Sequence, residues 1–225
     1  MRVLVVDTAL GLCTAGVFEV QGADVRRLGL RSEPMAKGHS ERLAGFARDA
    51  MTEAGLGFGA IDRIGVTVGP GSFTGLRVGL AFAHGLGAAV DRPVVGVSSL
   101  DALAASGEAE AVAALIDARR SQVYARFWTN GLAGGAPEAL SLDAAAARIA
   151  DLPPGAVLIG SGAALFSDAF PGMMQAPLAG PAPEALARLA AAADPAISPP
   201  RPLYLRAPDA APPTRLPGQA RPARP

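Results

Sequence analysis

Gly69-Pro70-Gly71-Ser72-Phe73-Thr74-Gly75-Leu76-Arg77-Val78-Gly79 is the stretch on which the fold turns. Before it, Ile64-Gly65-Val66-Thr67-Val68 is short, apolar and β-branched, as suits a buried strand. After it, Leu76 to Val90 holds no proline and repeats its apolar residues at helical spacing. Strand, tight glycine–proline turn and helix are therefore predicted, with Ser72 or Thr74 supplying the N-cap oxygen. Gly75, Gly79, Ala83 and Gly87 fall four apart and leave one helix face nearly bare. Each helical glycine costs up to ~1 kcal/mol relative to alanine, so the stripe implies a backbone packed unusually close. That backbone belongs either to the chain's own sheet or to a helix of a second protein. The same spacing promotes association in membranes, but Arg77, His84 and the short apolar length argue against a span.

On either side of this turn, strands and helices alternate. Arg2–Val6 reads as a buried strand ending at Asp7, and Cys13–Val20 and Asp24–Arg31 as strands joined by Gln21-Gly22-Ala23. Leu43, Phe46, Ala47, Ala50, Met51 and Ala54 recur at steps of three and four, an amphipathic helix ended by Gly55. A strand at Val94–Val97 and a short helix capped by Ser98 or Ser99 follow. The pattern then restarts. Ala111–Ile116 runs into Asp117 and pairs with Gln122–Trp128; Asp143–Ala150, a helix after Gly162 and Glu184–Ala193 are helical, and Val157–Ile159 is a strand. The expected architecture is α/β, two lobes on mixed sheets, residues 1–100 and 101–207. The segment Leu203–Leu205 is expected to dock on the body, and the Pro/Ala/Arg-rich tail 208–225 to be disordered.

The 225 residues are half hydrophobic and carry twenty basic and twenty acidic side chains. Zero formal charge is not the balance of a dedicated nucleic-acid binder. Lys37 is the only lysine, which reads as coding bias. Cys13 is the only cysteine, so no internal disulfide and no cysteine zinc cluster can form. The amino terminus has too short an apolar run for a signal peptide, and the simplest location is cytoplasmic.

Candidate chemistry is sparse. Asp7 and Asp117 end equivalent strands and could hold magnesium in a two-lobed ATP fold, although strand-end aspartates commonly cap turns. Both following hairpins lack the small glycine-containing turn that lets amides approach a phosphate. Gly160-Ser161-Gly162 offers a weak adenosine site or a plain turn. The central turn fits neither a Walker loop nor a dinucleotide fingerprint. His39 and His84 have no ligand neighbours in sequence, and Ser72 stands in no nucleophile elbow. No catalytic residue and no metal ligand set is assigned. Asp7, Asp117, Gly160 and Gly162 are held as a vestigial nucleotide site.

The amino-terminal Met1–Thr8, Gly69–Gly79, Val97–Leu100, Ile116–Arg119 with Val123-Tyr124, and Pro202–Arg206 together resemble the bacterial TsaB (YeaZ) family, in order over nearly the whole chain. The resemblance implies an actin-like/Hsp70-like ATPase (RNase H-like) fold of two lobes. It implies a non-catalytic dimerisation subunit that activates TsaD, with TsaE, in threonylcarbamoyl transfer to an adenosine of tRNA. TsaD-type relatives carry a paired-histidine metal motif; only His39 stands at that point here, with no second histidine along Glu41–Ala54. Pairing through the first two helices is implied, with TsaD or with a second copy when alone. Leu43, Phe46, Ala47, Ala50, Gly75, Leu76, Gly79, Leu80 and Ala83 are the expected interface. No resident cofactor is expected, with ATP or magnesium at the partner interface left open, and tRNA is expected to be reached only through the complex. An ATP-dependent enzyme is the alternative, and a metallopeptidase a more distant one.

Overall fold

The computed structural model describes residues 1–206. The tail 208–225, expected to be disordered, lies outside the described residues. β1 (Arg2–Asp7), β2 (Leu12–Gln21) and β3 (Asp24–Pro34) form an antiparallel meander, and β4 (Arg63–Gly69) and β5 (Val94–Ser98) add to β1 in parallel. The order is β3-β2-β1-β4-β5. Because side chains alternate along a strand, Leu4, Val6, Ile64 and Val66 pack on one face against α1 (His39–Glu53) and α2 (Phe73–Val90). Val3, Val5, Val95 and Val97 pack on the other against Leu186, Ala187 and Ala190 of α5 (Pro183–Ala192). Fully burying a leucine such as Leu186 stabilises this docking by roughly 1.5–3 kcal/mol. Arg63 fixes its far end, one guanidinium nitrogen donating to the carbonyls of Ala190, Ala191 and Ala193 at 2.9, 2.8 and 2.6 Å.

The second sheet contains β6 (Val112–Arg119), β7 (Gln122–Thr129), β8 (Leu132–Ala133), β9 (Glu138–Ser141), β10 (Val157–Ile159) and β11 (Met174–Ala176). Its order is β11-β10-β6-β7-β8, with β9 also on β7. α4 (Leu142–Ala150), capped by Ser141, and a 3-10 turn at Ala163–Phe166 cover one face. The helix expected after Gly162 is thus only that turn, and β8, β9 and β11 were not foreseen. α3 (Ser99–Ala104) is shared between the lobes. Its Leu100 and Leu103 pack on Val112, Ala114 and Ile116 of the second sheet, while Ala102 joins the core around α5. Asp101 of α3 pairs with Arg126 of β7 at 2.5 Å.

The chain then returns across both lobes. Gly96 donates to the carbonyl of Ser198 at 2.9 Å and Leu203 to that of Val68 at 2.7 Å. The Tyr204 ring meets Phe73 with centroids 5.3 Å apart, and Arg206 donates to the carbonyl of Ala118 at 2.8 Å. Leu203–Leu205 docks on the body, as expected.

Candidate functional site

The turn after β4 is built as the sequence predicts. Ser72 caps α2, accepting from the Gly75 amide at 3.2 Å. The glycine stripe is pressed onto the chain's own strands. A Cβ on Gly75 would lie 2.0 Å from the Thr8 carbonyl oxygen, one on Gly79 2.6 Å from Thr8 Oγ1, and one on Gly87 2.4 Å from Val94. Thr8 Oγ1 also donates to the Gly75 carbonyl at 2.7 Å, locking the loop after β1 against the first turn of α2. Of the two readings of the stripe, the intramolecular one holds.

The nine residues expected to meet a partner are buried by the same geometry. Leu43, Phe46, Ala47, Ala50, Leu76, Leu80 and Ala83 are at most 6 % exposed, and Gly75 and Gly79 are buried with them. They face the sheet because the stripe carries no side chain to hold the helix off it. What α1 and α2 turn outward is different: Ser40, Ala44, Arg77, Val78, Ala81 and Phe82 line an open, largely apolar groove of 470 Å³ with Leu43 in its floor. Apart from Leu43, the residues lining this groove are not among the expected interface set. By length and composition α2, with mean hydropathy 1.3, could cross a membrane; here its inner face is core.

Between the lobes lies a cleft of 780 Å³, lined by Leu10, Gly11, Ser72, Asp117, Arg119, Tyr124, Ser161 and Arg206 among others. The candidate nucleotide residues do not converge on it. Asp7 is 1 % exposed; its Oδ1 accepts from the Ala9 amide at 2.9 Å and from Thr67 Oγ1 at 2.6 Å, while Oδ2 is buried without a partner. Burial pushes its carboxyl above the ordinary carboxylate value, against the pull of Thr67, the Ala9 amide and His39. The segment before α5 seals it: Gly11 donates to the Ala179 carbonyl at 2.8 Å, and a Cβ on Gly180 would sit 3.3 Å from Asp7 Oδ2. The Ser72 amide is taken by the Ala9 carbonyl at 2.7 Å. Amides that could cradle a phosphate in such a loop are thus bonded within the chain. Gly160, at φ 105°, and Gly162 serve close packing on β6, a Cβ on Gly160 falling 2.4 Å from the Leu115 carbonyl oxygen. They form a tight turn packed on β6.

Asp117 alone of the four lines the cleft. Its amide donates to Ser161 Oγ at 3.2 Å, and its carboxylate accepts from the Arg119 amide at 2.8 Å and pairs with the Arg119 guanidinium at 3.4 Å. Arg119, Arg120 and Ser121 follow with φ of 62°, 54° and 54°. Three left-handed residues without a glycine are costly, roughly 1–2 kcal/mol each, and such turns persist where surrounding bonds over-determine them. Here Arg206 on the Ala118 carbonyl and the Leu142 amide on the Ser121 carbonyl supply those bonds.

The remaining reactive groups are isolated. Burial pushes the Cys13 thiol up to about 11, helped by the Asp7 and Glu33 charges, which leaves no thiolate at neutral pH. His39 is buried with Nε2 unpartnered, and His84 Nε2 lies 3.0 Å from the Pro200 carbonyl. Among the described residues no group of three or more His, Cys, Asp or Glu side chains could hold a metal.

Known proteins resemble this one at several levels. A family model described as TsaD, tRNA N6-adenosine threonylcarbamoyltransferase, matches residues 25–147. An uncharacterized protein of Mycobacterium tuberculosis is 37% identical over 93% of this chain and 94% of its own length. One of Mycobacterium leprae is 38% identical over 73% of this chain and 45% of that protein. The tRNA threonylcarbamoyladenosine biosynthesis protein TsaB of Haemophilus influenzae is 33% identical over 55% of this chain, and the match spans about half, 52%, of that relative. The solved structure of YeaZ from Pseudomonas aeruginosa covers 91% of this chain and 99% of its own at 27% identity, with a TM-score of 0.68. Another Pseudomonas structure, with similarity to peptidase YeaZ, gives 28% and 0.74 over the same shares. The fold of two mixed-sheet lobes is the actin-like one expected from the sequence.

Proposed function

The chain belongs to the TsaB (YeaZ) family, and on that footing we propose that it is a non-catalytic subunit of tRNA threonylcarbamoyladenosine biosynthesis that binds and activates a TsaD-type transferase. The carrying observation is the division of labour within α1 and α2. Their inner faces are closed on the sheet by the glycine stripe, while their outer faces leave an apolar groove at the surface. Apolar surface of that kind is favourably removed from water by a helical partner. A second copy of the chain would use the same groove in the absence of TsaD, and a TsaE-type ATPase would join the assembled pair. The sealed Asp7 and the internally bonded loop amides weigh against the rival reading of an independent ATP-dependent enzyme.

Ala81 and Ala44 test the reading, since both line the groove and are exposed. Ala81→Arg and Ala44→Asp place charge on the groove without touching the stripe. Each is expected to abolish co-purification with the TsaD-type subunit of the same cell and to leave the thermal unfolding midpoint of the isolated chain within about 2 °C, because surface changes rarely exceed ~0.5 kcal/mol. Retention of the complex by both variants refutes this docking face.

A further inference from the structure

We propose, resting on the docking reading above, that Arg77 decides which molecule the α1–α2 groove accepts: an apolar helix of a different protein that sets a carboxylate opposite the guanidinium, in preference to a second copy of this chain. Of the nine residues lining the groove, Arg77 alone is charged, and no Asp or Glu is among them. Arg77 is exposed, its guanidinium 4.0 Å from the centroid of the Phe73 ring, which Tyr204 braces in turn at 5.3 Å. Among the described residues no carboxylate pairs with it. The residues three and four away along α2 are Phe73, Thr74, Leu80 and Ala81, so the helix itself supplies none. The arginines of α1 are treated differently: Arg42 pairs with Glu33 at 3.3 Å and Arg48 with Asp49 at 3.2 Å.

A docked helix covers the Arg77 cation, and a covered charge without a counter-charge is strongly disfavoured. A guanidinium resting on a ring keeps N–H donors for a carboxylate, which it can meet in two parallel hydrogen bonds. Holding the cation on Phe73 before docking lowers the ordering cost of such a pair. A second copy of the chain cannot supply the missing group from the same surface. Two identical chains related by a twofold axis set one patch against itself, so their interface gathers two Arg77 side chains and no lining carboxylate. Discrimination is sharpened where the wrong partner is left with unpaired charge. Arg77 therefore favours an acid-bearing helix of another protein and keeps self-pairing weak.

The test compares the wild type with Arg77→Met, whose thioether can still pack on Phe73. Isolated full chains are followed by sedimentation equilibrium, and complexes with the TsaD-type subunit of the same cell by calorimetric titration across a salt series. Arg77→Met should weaken the mixed complex about 30-fold or more, since it strands a covered carboxylate, and tighten self-association about 10-fold or more, since the like charges are gone. The wild-type mixed complex should weaken as salt rises, and the Arg77→Met complex should respond less. Arg77→Lys, which keeps the charge, should stay closer to wild type than Arg77→Met in both assays. The opposite signs separate selection by charge from simple damage to the surface, which weakens both associations. An Arg77→Met chain that moves both in one direction, or neither, overturns the proposal. So does a wild type that binds itself as tightly as it binds the TsaD-type subunit. Loss of the mixed complex in Ala44→Asp and Ala81→Arg with Arg77→Met indifferent refutes the selection alone, whereas survival of the complex in both of those variants refutes the docking face.

Discussion

β1 runs into Asp7 and turns back as β2; β6 runs into Asp117 and turns back as β7. The two openings are alike in sequence, yet the first carboxylate is buried with a raised pKa and the second stands on a cleft wall bonded to Arg119 and Ser161. The difference comes from what the rest of the chain lays over each hairpin. The first receives the amino-terminal turn of α2 on Thr8 and the Ala179–Gly180 segment on Gly11. The second is held by Arg206 at Ala118, Leu142 at Ser121 and Ser161 at Asp117, which leave Asp117 and Arg119 on the cleft wall. One strand-and-hairpin pattern therefore yields a structural keystone in one lobe and an accessible edge in the other.

The contrast breaks most visibly at Gly75. Any side chain there must displace the Thr8 carbonyl, so Gly75→Val should destabilise the chain by about 3 kcal/mol or more, read as a loss of soluble protein or a fall in unfolding midpoint. Next comes Asp7. Its folded pKa lies above the ordinary 3.8, so the favourable contribution is complete below that value and is lost as pH rises through the folded pKa. Across this window wild-type stability should fall by up to about 1.4 kcal/mol per pH unit. Asp7→Asn, whose Oδ1 can still accept from Thr67 and Ala9, should remove that component, so that the difference between the two proteins widens with pH in urea titrations. The smallest effect belongs to Asp117→Asn. A half-exposed carboxylate paired with a largely exposed arginine contributes about 0–1 kcal/mol, and a large loss of stability would erase the distinction between the hairpins.

Most helices and long strands were legible because their signals are local. Ser72, Ser98 and Ser141 cap where helices begin, Gly22-Ala23 turns β2 into β3, and the steps of three and four along Leu43–Met51 predict the buried face of α1. β8, β9 and β11 escaped because two to four residues hold no periodicity. The direction of the glycine stripe escaped for another reason. A bare helix face says that some backbone comes close, but the backbone that does, at Thr8, lies 67 residues away. Nor does anything in Pro177-Leu178-Ala179-Gly180 announce that it closes over Asp7. The sequence therefore led to α1 and α2 but not to which of their faces is closed on the sheet.

The return of residues 198–206 across the body has a practical bearing on how the chain is cut and tagged. β5 is the last strand of its sheet, and its outer edge gives the Gly96 amide to Ser198. Trimming back to the end of α5 would bare that edge, and unpaired edges recruit strands from other molecules and precipitate. Truncations and fusions are best made beyond Arg206.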